Sequence, residues 1–123
     1  MKWIMLVAGG AFGTVSRYLL SGLTHRFLGH GFPYGTLVVN TIGCLLIGFL
    51  VTLIDRQRLL TPEQKLFCLV GFLGAFTTFS TFMLETVELT KDGHFWIAAG
   101  NVLASVLFGL IAIRVGIILG NMI

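Results

Sequence analysis

The sequence predicts an all-α membrane protein, a single four-helix domain over residues 1–123. The first observation is composition. Only 11% of residues are charged and 56% are hydrophobic, with a mean hydropathy of +0.97. A soluble domain carries about a quarter charged residues, so this chain lacks the polar groups to cover a water-facing surface. The second is segmentation: four apolar stretches are divided by short polar breaks, and each reaches the roughly 20 residues that cross a bilayer as a helix.

The first helix is expected from about Trp3 to about Leu23, ending at Thr24-His25-Arg26 before a Gly29-His30-Gly31-Phe32-Pro33 loop. Its apolar run is too long for a signal-peptide core and is read as a retained span. The second runs from about Tyr34 to Ile54 and stops at Asp55-Arg56-Gln57-Arg58. The third begins at Pro62, with Thr61 as cap and Gln64 completing a capping box, and extends to about Leu89. Gly71, Gly74 and Thr77-Thr78 interrupt its apolar run, so this helix is expected to break near its middle. After the turn Lys91-Asp92-Gly93-His94, the fourth runs from about Phe95 to Leu119.

Within the spans, Gly9 and Gly13 form a small-xxx-small pair, and Gly43, Gly48, Gly109 and Gly116 add close-approach points for helix packing. Cys44 and Cys68 match no metal-ligand or redox spacing and read as packing residues. The Lys and Arg bias across the membrane is small. Lys2, Arg56, Arg58 and Lys65 fall on one side, with Arg114 toward it; Arg26, Lys91 and Arg17 fall toward the other. Such a count permits insertion in both orientations, hence an antiparallel dimer, and equally permits one orientation with a cytoplasmic amino terminus. No basic stripe interleaved with aromatics points to nucleic acid.

Polar side chains at membrane depth are costly and mark function by default. They are Arg17 in the first helix; Asn40 and Thr41 in the second; Thr77, Thr78, Ser80, Thr81 and Glu85 in the third; and Asn101 and Ser105 in the fourth. No metalloprotease motif, phosphate loop or carboxylate pair is present, and His25, His30 and His94 fall at expected loops, so no enzyme is expected. Residues 77–82, Thr-Thr-Phe-Ser-Thr-Phe, place four hydroxyls beside Phe79 and Phe82, which share a helical face. Ring edges are positive, and hydroxyls and the Asn40 amide donate hydrogen bonds. That surface suits a small anion, whereas cation paths favour acidic rings or carbonyls. The bland alternative has the hydroxyls bonded to carbonyls one turn back and the rings merely packed.

The chain resembles the Fluc or CrcB fluoride channels over nearly its whole length. The resemblance rests on Gly9-Gly10-Ala11-Phe12-Gly13 with Arg17, and on Pro33-Tyr34-Gly35-Thr36-Leu37 with Asn40 and Gly43. It continues in Gly71-Phe72-Leu73-Gly74-Ala75-Phe76, the specific Thr77-Thr78-Phe79-Ser80-Thr81-Phe82 run with Glu85, and the spacing to Ser105 and Gly109. It implies a dual-topology antiparallel homodimer in the cell (inner or plasma) membrane, surrounded by lipid, with two fluoride pores built from both subunits. Phe79 and Phe82 would turn ring edges to the anion, and Asn40 would donate to it. Ser80, Thr81 and Ser105 would extend a polar track, Glu85 would sit toward a pore mouth, and Arg17 would act structurally or electrostatically. A central structural sodium ion would be held by backbone carbonyls of Gly74 and Thr77. The family often has tyrosine where this chain has Asn101, which bears on the packing of one pore segment.

The function implied is passive fluoride export, conferring fluoride resistance. The alternative is a proton-coupled exporter of the small multidrug-resistance type. That class needs a carboxylate in its first helix, where this chain has Arg17 and no acid. A third reading is a structural subunit whose hydroxyls serve helix contacts.

Overall fold

A computed structural model describes residues 1–57 and 60–123. Arg58, counted above in the basic loop, lies outside the described residues. The chain is all helical there, and four segments are long and apolar enough to cross a membrane: Lys2–Leu28, Tyr34–Gln57, Pro62–Lys91 and Phe95–Met122. At about 1.5 Å per residue they measure roughly 36–45 Å, enough to span the hydrocarbon with some tilt.

Helix α1 is Lys2–Leu28. It passes the expected end at Leu23 because Thr24 satisfies its hydroxyl on the Leu20 carbonyl at 2.7 Å and so does not compete with the helix. The chain leaves the helix at Gly29, whose φ of 81° suits a residue without Cβ. His25 is therefore helical rather than in a loop, and its ring stacks on His30 at 4.8 Å. Helix α2 is Tyr34–Gln57.

Helix α3 spans 62–76. It opens with Pro62–Lys65 under the expected capping box: Thr61 N–H donates to Gln64 Oε1 at 2.9 Å, and the Thr61 hydroxyl accepts from Gln64 N–H at 3.3 Å. It widens into a π-helix over Leu66–Leu73 and returns to α geometry for Gly74–Phe76. Apart from Gly71, the sequence of 66–73 is apolar and carries no signal specific to a π-helix. Thr77 (φ −83°, ψ 157°) and Thr78 (φ −149°, ψ 120°) are extended. Helix α4, Phe79–Lys91, follows, with the Thr78 hydroxyl accepting from Thr81 N–H. Helix α5 is Phe95–Met122, and Arg56 donates to the carbonyl of Asn121 near its end.

Glycine sets the packing. α1 crosses α3 where a Cβ on Gly9 would lie 3.0 Å from Phe72 N and one on Gly71 would lie 3.1 Å from Gly9 Cα. α2 packs most extensively on α5. There a Cβ on Gly116 would lie 2.8 Å from Phe49 N and press on the Leu45 carbonyl. Backbones in contact maximise dispersion where lipid offers no hydrophobic drive. The small core holds Val39, Ile54, Leu73, Phe76, Phe82, Ala98 and Ala112. Outward faces are apolar, as at Trp3, Val7, Phe12, Leu103 and Ile111, which is the surface a lipid environment demands.

Candidate functional site: a groove at the two threonines

The two extended threonines are held by one side chain. Asn40, on α2, donates through Nδ2 to the Thr78 carbonyl at 2.9 Å and accepts from Thr78 N–H on Oδ1 at 2.8 Å. This amide pairs with the Thr78 peptide as a strand would. One Asn40 N–H remains by the side chain's donor inventory.

This pairing diverts helical hydrogen bonds. In an unbroken α-helix the Gly74 carbonyl would accept from Thr78 N–H, and the Thr77 carbonyl from Thr81 N–H. Here Thr78 N–H goes to Asn40 and Thr81 N–H to the Thr78 hydroxyl at 3.3 Å. The Gly74 and Thr77 carbonyls thereby lose their α-helical donors. By contrast, the Leu73 carbonyl accepts from both Thr77 N–H and the Thr77 hydroxyl, at 3.1 and 2.9 Å. Two carbonyls without helical donors are the donor set an alkali cation takes, so the residues fit the sodium expectation chemically.

A groove of about 450 Å³ lies against this turn. Asn40, Gly74, Thr77, Phe79, Phe82 and Ser105 all line it, together with Cys44 and Thr78. The Phe79 and Phe82 rings sit 5.9 Å apart at 59°. Phe82 is 7% exposed and Phe79 is 72% exposed, so one ring is anchored and the other is presented. α4 starts at this groove with no acidic residue in its first turn. Its N-terminal peptide N–H groups carry the positive end of the helix dipole, which favours an anion.

A second cavity of about 230 Å³ is lined by Thr14, Arg17, Tyr18, Ser21, Thr36, Val39, Thr78 and Thr81. Thr78 lines both cavities. The Thr81 hydroxyl accepts from the Thr78 hydroxyl at 2.9 Å, which leaves Thr81's own proton to donate. Among the described residues, Arg17 Nε and Glu85 Oε2 are buried without a hydrogen-bond partner. Unpaired buried polar atoms of this kind are costly. Thr36 donates to Glu85 Oε1 at 2.8 Å, tying α2 to α4.

The expected residues therefore divide. Asn40, Gly74, Thr77, Phe79, Phe82 and Ser105 share the groove, while Arg17 and Thr81 share the smaller cavity. Ser80 is exposed and lines neither of the two; Glu85 reaches the smaller cavity only through Thr36. Sequence reasoning assigned Thr36 no role of its own. Its pairing crosses 49 residues of chain, and no local spacing announces it.

Comparison with known proteins places the chain in a family. Residues 4–117 match the family described as CrcB-like protein, Camphor Resistance (CrcB). A Dehalococcoides mccartyi protein named fluoride-specific ion channel FluC is 47% identical over 120 residues, covering 98% of this chain and 92% of that one. Proteins of the same name from Magnetococcus marinus and Maridesulfovibrio salexigens are 48% and 43% identical. They cover 100% and 99% of this chain, and 98% and 97% of their own lengths.

Proposed function

This chain belongs to the CrcB family, and from that premise we propose that it is a fluoride-specific ion channel exporting fluoride passively across the cell membrane. It is not an enzyme. The observation that carries the reading is the groove in which Asn40, Phe79, Phe82 and Ser105 meet at the N-terminus of α4.

Fluoride loses its water on entering such a groove, and donors must replace that water. The free Asn40 N–H, the Ser105 hydroxyl, the Phe79 and Ser80 N–H groups at the start of α4 and the positive ring edges of Phe79 and Phe82 supply them. The Thr81 hydroxyl and the Arg17 charge continue the path on the other side of Thr78, and a cation there raises local anion concentration. Glu85 stands toward the mouth with its free oxygen. No acid, ATP or proton site is required, because the anion runs down its own gradient. The proton-coupled exporter is not favoured, since α1 holds Arg17 and no carboxylate.

The working unit we propose is an antiparallel homodimer with two pores, inserted in both orientations in the inner or plasma membrane. The outward Phe79 ring and exposed Gly74 belong on the face that meets the second copy. Gly74 and Thr77 carbonyls from both copies would hold the structural sodium ion, which, when bound, neutralises carbonyl dipoles gathered near the two-fold axis. Asn40 keeps the Gly74 carbonyl available by accepting from Thr78 N–H, and the Thr78 hydroxyl does the same for the Thr77 carbonyl by accepting from Thr81 N–H.

Expressing the chain in a bacterium stripped of its own fluoride exporter tests the proposal. Growth in acid medium containing fluoride should be restored. Unrestored growth, with the protein present in the membrane, would refute the export role.

A further inference from the structure

We infer that Asn101 is a positioning residue for the Phe79–Phe82 pair and acts through Thr86, an inference that rests on the channel reading above. Asn101 is 1% exposed and, with Val39, is one of the two largest fully buried side chains. A buried amide in an apolar helix is unfavourable unless paired. Its partner is on the neighbouring helix: Asn101 Nδ2 donates to Thr86 Oγ1 at 2.9 Å.

The direction of that bond follows from the rest of the chain of contacts. Thr86 has one hydroxyl proton, and it goes to the Phe82 carbonyl at 2.7 Å. Toward Asn101, Thr86 can therefore only accept, which turns the amide nitrogen to it. The result is a relay from α5 to α4 that ends on the backbone of Phe82. Phe82 is also the buried side chain of α4. Ring and backbone of the same residue are thus both anchored, and Phe79 rides one turn away at 5.9 Å between centroids. Asn101 lines neither cavity, so its influence on an ion passes through the placement of α4. With the relay cut, α4 can turn or slide and both ring edges move with it.

The test is fluoride efflux from liposomes, normalised to folded protein by size-exclusion, for the parent, Asn101→Ala, Thr86→Val, Thr86→Ser and the double variant Asn101→Ala/Thr86→Val. Each of the first two substitutions should slow efflux by about fivefold or more, the factor one ordinary net hydrogen bond carries. The double variant should be no slower than the worse single one, since both cut the same relay. Thr86→Ser keeps acceptor and donor and should conduct like the parent; a purely volumetric role for Thr86 would not be rescued this way. Asn101→Leu, close in volume and suited to a membrane helix, replaces the alanine variant if that one does not fold. A conducting parent with unimpaired Asn101→Ala or Asn101→Leu, or with effects that multiply in the double variant, would overturn the inference and leave the channel reading standing. A silent parent would sink the channel reading first.

Discussion

Replacing Asn40 separates two roles that one side chain performs. Asn40→Ala removes both bonds to the Thr78 peptide. Thr78 N–H can then return to the Gly74 carbonyl, while the Thr78 carbonyl loses the Asn40 bond and keeps only the first intrahelical donor of α4, at a cost of about 1 kcal/mol. Asn40→Asp keeps an acceptor for Thr78 N–H, loses the donor, and sets a negative charge in the groove. At about 5 Å and an effective dielectric constant of about 20, that charge repels a fluoride ion by about 3 kcal/mol. Such a barrier slows passage by about two orders of magnitude. Reconstituted efflux should therefore rank parent, Asn40→Ala, Asn40→Asp, with the alanine variant impaired about tenfold. An aspartate variant that conducts at least as well as the alanine variant would refute the electrostatic reasoning. Parent-like flux in both would remove Asn40 from the pore.

Phe79→Ile and Phe82→Ile should each reduce fluoride flux, because an alkyl side chain has no positive ring edge; loss of Phe82, buried within the single chain, should also lower thermal stability. Arg17→Gln is expected to slow efflux most at low ionic strength, where a charge acts at longest range, and equal slowing at all salt concentrations would contradict a steering role. Gly116→Ala should destabilise the protein by about 1–3 kcal/mol, since its Cβ meets the backbone of α2 at Phe49 and Leu45, and a melting curve in detergent reads this directly.

The spans were legible because lipid imposes a length and an apolar composition on each of them. The capping box at Thr61 and Gln64 was equally legible, being a local pattern with a local cause. The run Thr77-Thr78 could be singled out by its hydroxyls, but what holds it could not. The pairing of Asn40 with Thr78 joins residues 38 apart in the chain and depends on how α2 passes the turn. The same holds for Thr36 with Glu85 and Asn101 with Thr86. The end of α1 was placed five residues early, because Thr24-His25-Arg26 reads as polar punctuation when Thr24 in fact bonds within the helix. Gly71 marks the π-helical stretch as irregular, but no residue in it specifies a π-helix.

The central claim is selective passage of fluoride, and efflux from liposomes containing the purified protein tests it most directly. A fluoride electrode follows release under a fluoride gradient, with a matched chloride gradient as control. Rapid fluoride release without chloride release is the predicted result. No fluoride release from folded, reconstituted protein, or equal release of both ions, would contradict the account.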